Sequence, residues 1–137
     1  MNIVFSANNM AEVMTLPIVP SEFNVSKPFV NEEFETIAYG TLNLIGLKGL
    51  RSLTISSFFP NRLYGFAKNT KKAAECIAFF DKWAAKRVPI RIIVTDDKEK
   101  EILNMACTIE NFEHGIDRAG DVPYTLDLKE FVFVAVK

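Results

Sequence analysis

The single histidine is the first residue of this sequence that could act as an acid or a base. His114 follows Glu113 and precedes Gly115. A serine or cysteine nucleophile that histidine activates must lie within hydrogen-bonding distance of it, and no serine or cysteine pattern lies near His114 in the sequence. We therefore predict that His114 lies in a loop, where it bonds solvent or a turn, and has no catalytic role.

Asp96 and Asp97 are the second candidates, because carboxylates at the end of a buried strand can hold Mg²⁺ for phosphoryl chemistry. Four charged residues follow them at once, and neither a third ligand nor a Gly-rich phosphate-binding loop accompanies them. We predict a solvated hairpin tip at this position. The sequence therefore predicts no catalytic residue, no metal ligand and no cofactor site, and we expect a protein that is not an enzyme.

The cysteines and the charge balance narrow the classes of partner. Cys76 and Cys107 are too few for a disulfide framework and lack the spacing of metal ligands, so both are predicted to be buried thiols. The formal net charge of −1 argues against nucleic-acid binding. No secretory signal opens the sequence, and no apolar run approaches the ~20 residues that span a bilayer. We expect synthesis in the cytoplasm and no membrane partner.

One amphipathic helix is predicted between residues 69 and 89. Asn69 or Thr70 is the expected N-cap, and Pro89 ends the helix. Apolar residues spaced by three and four form one stripe, which consists of Ala73, Cys76, Ile77, Phe80, Trp83 and Ala84. Because such a stripe must be buried, we predict that the helix packs against a sheet.

Strands are predicted on both sides of the helix, because apolar residues alternate there with a period of two. An antiparallel hairpin is expected at residues 40–60, with a turn at Gly46 and Gly49, and residues 34–44 are expected to form one long strand kinked at Gly40. Other strands are predicted at residues 2–6, 12–19, 90–95, 105–112 and 123–136. The pattern indicates a single α+β domain over residues 1–137, an antiparallel β-sandwich or open barrel with one flanking α-helix.

Four segments resemble a known family in the same order along the chain. They are LPIVPSEFNVS (residues 16–26), GTLNLIGLKGLRSLTISSFFP (40–60), VPIRIIVTD (88–96) and ACTIENFEHGIDRAGDVPYTLDLKEF (106–131). The sequence is similar over nearly its whole length to the N-terminal domain of LysM-bearing tail proteins from Bacillus- and Clostridium-type contractile phages, defective prophages and phage-tail-like bacteriocins. The resemblance implies a tail-tube-like fold and a structural role at the junction of the tail tube and the baseplate hub.

The resemblance also implies partners and a location. We expect other tail proteins of the tube, hub and baseplate as partners, a homo-oligomeric ring of six copies, and a place in a virion tail or phage-tail-like particle made in the bacterial cytoplasm. Family members usually continue into a LysM peptidoglycan-binding module, whereas this chain stops at Lys137. We therefore expect no LysM module in this chain and no direct binding to the cell wall.

Ring contacts require apolar or edge surface on a domain that is otherwise soluble. Three surfaces are candidates: the aromatic-rich loop after the predicted hairpin, a Pro-containing edge, and the end of the last strand. The candidate contact residues are Phe58, Phe59, Leu63, Tyr64 and Phe66 at the loop, Leu16 and Ile18 on the edge, and Phe131 and Phe133 at the end of the last strand. The alternative is a small ligand- or glycan-binding module, which would present the loop aromatics and His114 around a concave pocket.

Overall fold

The computed structural model describes residues 1–133, which form nine strands and one helix. In chain order the elements are β1 (Asn2–Ala7), β2 (Glu12–Thr15), β3 (Asn24–Ser26), β4 (Glu32–Thr36), β5 (Gly40–Leu44), β6 (Ser52–Phe59), α1 (Ala73–Ala85), β7 (Ile90–Thr95), β8 (Glu101–His114) and β9 (Val122–Glu130). The predicted α+β class with one flanking helix is confirmed. Over residues 1–133, no helix has the length and apolar character that crossing a membrane requires.

Seven of the strands form one open sheet in the order β2-β1-β7-β8-β9-β6-β3. Every neighbouring pair in this sheet is antiparallel. The predicted alternation is confirmed in β7, where Ile90, Ile92 and Val94 are buried, and in β9, where Tyr124, Leu126 and Leu128 are buried. One face of the sheet therefore belongs to the core, and β2 and β3 are its two edge strands.

Helix α1 covers the buried face of this sheet. Its side chain Phe80 lies at the centre of the core, with ring centroids 5.0 Å from Phe5 on β1 and 6.3 Å from Phe59 on β6. The stripe prediction is confirmed for most of its members, whereas Ile77 is half-buried and Ala84 is exposed. The buried residues of the helix are Ala73, Cys76, Phe79, Phe80 and Trp83.

The predicted N-cap of the helix is wrong. Lys72 is the N-cap and makes no side-chain capping bond. The side chain of Asn69 instead accepts a hydrogen bond from the Lys71 N–H (2.9 Å) and donates one to the Thr15 carbonyl (2.8 Å). Asn69 is thus used to fasten the segment before the helix to the end of β2, which leaves its oxygen unavailable to the first helical turn.

The predicted hairpin at residues 40–60 is also wrong, because its two strands do not pair with each other. Strand β5 pairs with β4 in a separate two-stranded sheet, and β6 pairs with β9 and β3. Residues 34–44 are likewise not one strand, since the chain turns back at residues 37–39. The Thr36 hydroxyl closes this turn by donating to the Gly40 carbonyl and accepting from the Tyr39 N–H, both at 3.0 Å.

Residues 27–50, which we call the arm, form a two-stranded ribbon that leaves the sheet after β3 and returns into β6. At the root of the arm, where it joins the main sheet, two hydrogen bonds continue the pairing of the ribbon. The Val30 N–H donates to the Leu47 carbonyl (2.9 Å), and the Gly49 N–H donates to the Pro28 carbonyl (2.7 Å). Gly46 does not adopt the positive φ of a turn. It is needed because a Cβ there would lie 1.4 Å from the Val30 carbonyl oxygen.

Three predicted strand boundaries also differ from the structure. The strand predicted at residues 12–19 ends at Thr15, and the one predicted at 105–112 extends over Glu101–His114. His114 therefore belongs to a strand, and its predicted loop position is wrong. The strand predicted at 123–136 ends at Glu130; residues 131–133 follow it without strand pairing, and residues 134–136 lie outside the described part of the chain.

Candidate functional site

The aromatic loop, residues 60–69, connects β6 to the helix. Its Tyr64 ring packs against Phe58 at the end of β6, with centroids 5.6 Å apart, and against Phe66, with centroids 5.2 Å apart. These three rings form a continuous aromatic surface next to the sheet. Phe58 and Tyr64 are half-buried in it, whereas Phe66 and Leu63 are 65% and 78% exposed.

The carboxylate of Asp121 anchors this loop. It lies in the β8–β9 connection, is 3% exposed, and accepts hydrogen bonds from the Asn61 N–H (3.0 Å) and the Tyr64 hydroxyl. The guanidinium of Arg62 lies 4.0 Å away. The pKa of Asp121 is lowered below its ordinary value. The hydrogen bond from the Asn61 N–H is the largest cause, and the hydrogen bond from Tyr64 and the charge of Arg62 add to it. An ionised carboxylate therefore holds the loop.

Phe59, Leu16 and Ile18 were predicted to be contact residues, but the fold buries them within the chain itself. They are 1%, 1% and 6% exposed. Phe59 stacks on Tyr124 with centroids 3.9 Å apart and planes 7° apart. Leu16 continues the β1–β2 pairing through a bond from its N–H to the Ile3 carbonyl (2.9 Å). These three side chains are core residues and offer little surface to a partner.

Phe131 and Phe133 form an exposed aromatic pair directly after β9. Their rings meet edge to face with centroids 5.1 Å apart, and they are 39% and 65% exposed. The Phe131 N–H bonds the Ala106 carbonyl at 2.9 Å, which directs the segment along β8. Of the nine predicted contact residues, these two, together with Leu63 and Phe66, have the most accessible apolar surface.

The arm is the apolar surface that sequence reasoning missed. Nine large apolar side chains on it are more than 40% exposed: Phe29, Val30, Phe34, Ile37, Tyr39, Leu44, Ile45, Leu47 and Leu50. Ile37 at its tip is fully accessible to solvent. The turn at the tip of the arm is formed by Ile37, Ala38 and Tyr39, which separate two alternating runs in the sequence. None of these three is a residue type that usually marks a turn, so the sequence did not indicate it.

The two faces of the arm differ in character. In the pairing of β4 with β5, Glu32 lies opposite Leu44 and Phe34 lies opposite Leu42. These four side chains therefore share one face. Glu33 and Glu35 pair with Asn43 and Thr41 on the opposite face. The arm is therefore an amphipathic ribbon with one largely apolar face and one acidic, polar face.

The residues first considered for chemistry are separated in the fold. His114 packs against Phe112 (centroids 5.1 Å apart) beside an open depression that Ser57, Glu113 and Tyr124 also line. Tyr64 is not among the lining residues of that depression. The concave pocket of the alternative hypothesis, which combines the loop aromatics with His114, is thus not formed there.

The other residues considered for chemistry, Asp96, Cys76 and Cys107, are bonded to the backbone or buried. Asp96 accepts hydrogen bonds from the Lys98 and Lys100 N–H groups at 2.8 and 2.9 Å, which confirms the predicted hairpin tip. Cys76 and Cys107 are buried as predicted, and burial raises their pKa values to about 11 and about 12, so both thiols stay protonated at neutral pH. Within residues 1–133, no three His, Cys, Asp or Glu side chains are grouped to hold a metal ion.

Comparisons with known proteins show which sequences and structures this chain is similar to. The sequence matches no family model. It is 29% identical to the uncharacterized protein YqbP of Bacillus subtilis (strain 168) over an alignment of 122 residues, which covers 86% of this chain and 54% of YqbP. The chain thus spans about half the length of this curated relative.

Two solved structures have a similar chain. One is a chain from the tail of an empty GTA particle with C6 symmetry, with a TM-score of 0.57, 12% identity, and coverage of 99% of this chain and 95% of that chain. The other is a chain of the 6-fold symmetrised baseplate of the anti-feeding prophage, with a TM-score of 0.48, 12% identity, and coverage of 96% and 88%. The first likeness extends over nearly all of both chains, so the fold of this protein is similar to that of the GTA tail chain.

Proposed function

We propose that this chain is a structural, non-enzymatic subunit of a contractile phage tail or phage-tail-like particle, and that it assembles as a ring of six copies at the junction of tube and baseplate hub. The observation that carries this proposal is the arm. Nine large apolar side chains stand exposed on a ribbon that makes its own two-stranded sheet. A two-stranded ribbon alone is marginally stable in water, and its apolar face requires a partner to cover it.

The open edges of the main sheet support assembly for a second reason. Strands β2 and β3 each present backbone N–H and C=O groups on one side that pair with no further strand of residues 1–133. Unprotected edges favour strand addition from another chain. A subunit that repeats one such contact by rotation forms a closed ring.

The fold likeness supports the choice of particle. The chain that shares this fold over nearly its whole length belongs to the tail of a particle with C6 symmetry. YqbP, which the sequence resembles at 29% identity, comes from Bacillus subtilis and agrees with the Bacillus-type family suggested by the sequence. The partners proposed are therefore further copies of this chain and the neighbouring tube, hub and baseplate proteins.

The surroundings of the reactive residues support a non-enzymatic role. The two thiols are buried and protonated, and the Asp121 carboxylate is occupied by loop-anchoring bonds. The acidic pair Asp96-Asp97 lies at a hairpin tip where Asp96 bonds the backbone. The two thiols and Asp121 are thus buried and Asp96 is bonded to the backbone, whereas Asp97 is exposed and pairs with the Met1 ammonium.

Electron microscopy and native mass spectrometry of the full chain test the proposal. We expect closed rings of six copies at high protein concentration, and density for the chain on the axis of the native tail between tube and hub. A protein that stays monomeric at all concentrations and is absent from purified tails would contradict it. In that case, binding of a glycan panel to the surface around Tyr64 would be the next measurement.

A further inference from the structure

A second apolar surface lies where α1 ends and β7 begins. It is a groove, which we call the helix-end groove, lined by Trp83, Lys86, Val88, Pro89, Phe133 and the β1–β2 turn. Val88 and Phe133 are 43% and 65% exposed, so apolar surface is open to solvent there. The Lys86 ammonium lies over the Trp83 ring, 4.9 Å from its centroid, at the rim of this surface. The groove thus combines an apolar floor with one cation.

The groove and the arm lie at opposite edges of the sheet. The arm leaves and re-enters the sheet at β3 and β6, which form one edge, whereas the groove lies beside β1, β2 and β7 at the other. The strand pairing shows where each surface lies along the strands. At the arm, Ser52 pairs with Lys129. At the groove, Ala7 pairs with Ile90, and Ile90 pairs with Cys107. Cys107 pairs with Glu130, next to Lys129. Both surfaces are therefore at the same end of the strands.

The two surfaces also carry opposite charge. The arm carries three carboxylates within residues 28–47, and its two cations, Lys27 and Lys48, lie at its root. Near the groove, Lys86 and Arg87 have no carboxylate of residues 1–133 within 4 Å, whereas Lys82 is already paired with Glu12 at 2.7 Å. Two cations that form no ion pair within residues 1–133 thus lie at one edge of the sheet, and the three carboxylates of the arm lie at the other.

The match extends to the apolar face of the arm. Glu32 shares that face with Phe34 and Leu44. On the arm, the Glu32 carboxylate thus lies beside two exposed apolar side chains. In the groove, the Lys86 ammonium lies beside Val88 and Phe133, so charge and apolar surface are complementary. An ion pair that forms as apolar surface is buried around it is less screened than one in water.

From these observations we infer that the helix-end groove receives the arm of a second copy of this chain, with Glu32 of the arm facing Lys86 of the groove. This inference rests on the proposed function and names the surfaces that meet in it. The contact is heterologous, because each copy offers its arm at one edge and its groove at the other. Repeated head to tail at the same end of the strands, it propagates from copy to copy around a ring.

Cysteine cross-linking of the full chain tests the contact directly. We expect Leu44→Cys mixed with Val88→Cys to give a covalent dimer that contains one copy of each, under mild oxidation at concentrations where the native chain assembles. The double variant should give a ladder of covalent oligomers, and neither single variant should cross-link alone. The two native thiols are buried, and their raised pKa values keep them unreactive in this assay.

Charge exchange provides a second test with a matched control. Glu32→Lys and Lys86→Glu should each weaken self-association at least about tenfold, because they bring like charges together. The double variant Glu32→Lys/Lys86→Glu should recover association. Glu33→Lys makes the same charge change on the opposite face of the arm and should have the smaller effect.

The outcomes separate this inference from the proposed function. Rings that form without a Leu44–Val88 cross-link would overturn the inference and leave the ring intact. Cross-linking of Leu44→Cys to itself would also overturn it, because it would show two arms meeting symmetrically. A wild-type chain that stays monomeric would overturn both.

Discussion

The phenol of Tyr64 donates a hydrogen bond to the buried carboxylate of Asp121, across 57 residues of sequence. This bond fixes the middle of the aromatic loop to the β8–β9 connection. The loop contains no helix or strand of its own, so its conformation depends on this anchor and on the bond from the Asn61 N–H to the same carboxylate. The positions of Leu63 and Phe66 therefore depend on one acidic residue outside the loop.

Replacing Asp121 with Asn should loosen the aromatic loop and leave the sheet intact. The amide is neutral and offers only one acceptor oxygen, so it loses the charge-assisted bonds from Asn61 and Tyr64. We expect amide hydrogen exchange at residues 61–66 to become about tenfold faster, while exchange in β7 stays unchanged. Asp81→Asn, which makes the same change at an exposed carboxylate on α1, is the control. Unchanged protection of the loop would show that packing alone holds it.

Replacing Tyr124 with Phe should stabilise the protein. Its hydroxyl is buried and has no hydrogen-bond partner among residues 1–133, and burial raises its pKa above the ordinary value. Removing a buried, unpaired polar group while keeping the ring should raise the free energy of unfolding by about 1 kcal/mol. Denaturant unfolding measures the change, with Tyr64→Phe as the control that removes a hydroxyl already bonded to Asp121 and should not stabilise. A less stable Tyr124→Phe variant would mean that the hydroxyl has a partner in solution.

Replacing Gly46 with Ala should disrupt the root of the arm. The new Cβ would lie 1.4 Å from the Val30 carbonyl oxygen, which cannot move without shifting the ribbon. Because the arm is separate from the core sheet, we expect faster proteolysis within residues 28–48 and loss of ring formation, with little change in melting temperature. Gly65→Ala, where nothing lies within 4 Å of the added carbon, should behave as the native chain. Normal protease resistance in Gly46→Ala would contradict this account.

Several strands of the main sheet and the helix were predictable because their signals are local. The alternation in β7 and β9 and the three-four spacing of α1 mark the buried face of each element without reference to any other part of the chain. The arm was not predictable for the opposite reason. Strand β5 alternates equally well for pairing with β4 or with β6. Gly46 and Gly49 resemble a turn signal, although Gly46 allows a close approach to the Val30 carbonyl and Gly49 lies against the Pro28 ring.

The candidate contact residues show the same limit. Phe59 and Phe66 are both aromatic residues near a predicted strand end, yet one is 1% exposed and the other 65%. Their difference depends on what packs above them: Phe80 of the helix and Tyr124 of β9 cover Phe59. Such contacts bring together residues distant in sequence, so no local pattern distinguishes a core aromatic from a surface one.

Replacing Glu130 with Gln should make stability less dependent on pH. The Arg51 guanidinium donates to the Glu130 carboxylate at 2.8 Å, and this bond lowers the pKa of Glu130. A carboxylate whose pKa is lower in the folded state stabilises the protein above its unfolded pKa of ~4.3, and this contribution disappears as the pH falls through the folded value. Both side chains are partly exposed, at 29% and 20%, so we expect a difference of about 1 kcal/mol at pH 7 that shrinks as the pH falls below ~4.3.

Urea unfolding of wild type and Glu130→Gln at several pH values measures this difference. Glu22→Gln, a change at an exposed residue, serves as the control and should follow the wild type at every pH. A constant gap between wild type and Glu130→Gln from pH 7 to pH 2 would mean that the ionised state of Glu130 does not contribute, and that the glutamine costs stability through its shape alone.

Replacing Phe66 with Ser should separate assembly from stability. Because its ring is 65% exposed, the free energy of unfolding should change by less than about 0.5 kcal/mol. If the aromatic loop meets a partner, removal of this apolar surface should lower the fraction of chains in rings, as measured by sedimentation velocity. Phe59→Ala should instead cost about 3–5 kcal/mol, since it opens a cavity between α1 and β9.

Ile102→Ser is the matched control for Phe66→Ser, because Ile102 is 59% exposed and belongs to β8, not to the loop or the arm. Equal ring fractions for the two variants would remove the aromatic loop from the interface and leave the arm as the main contact. A selective loss with Phe66→Ser would mean that each copy uses two apolar surfaces. The loop would then be a second point of attachment, held in position by Asp121.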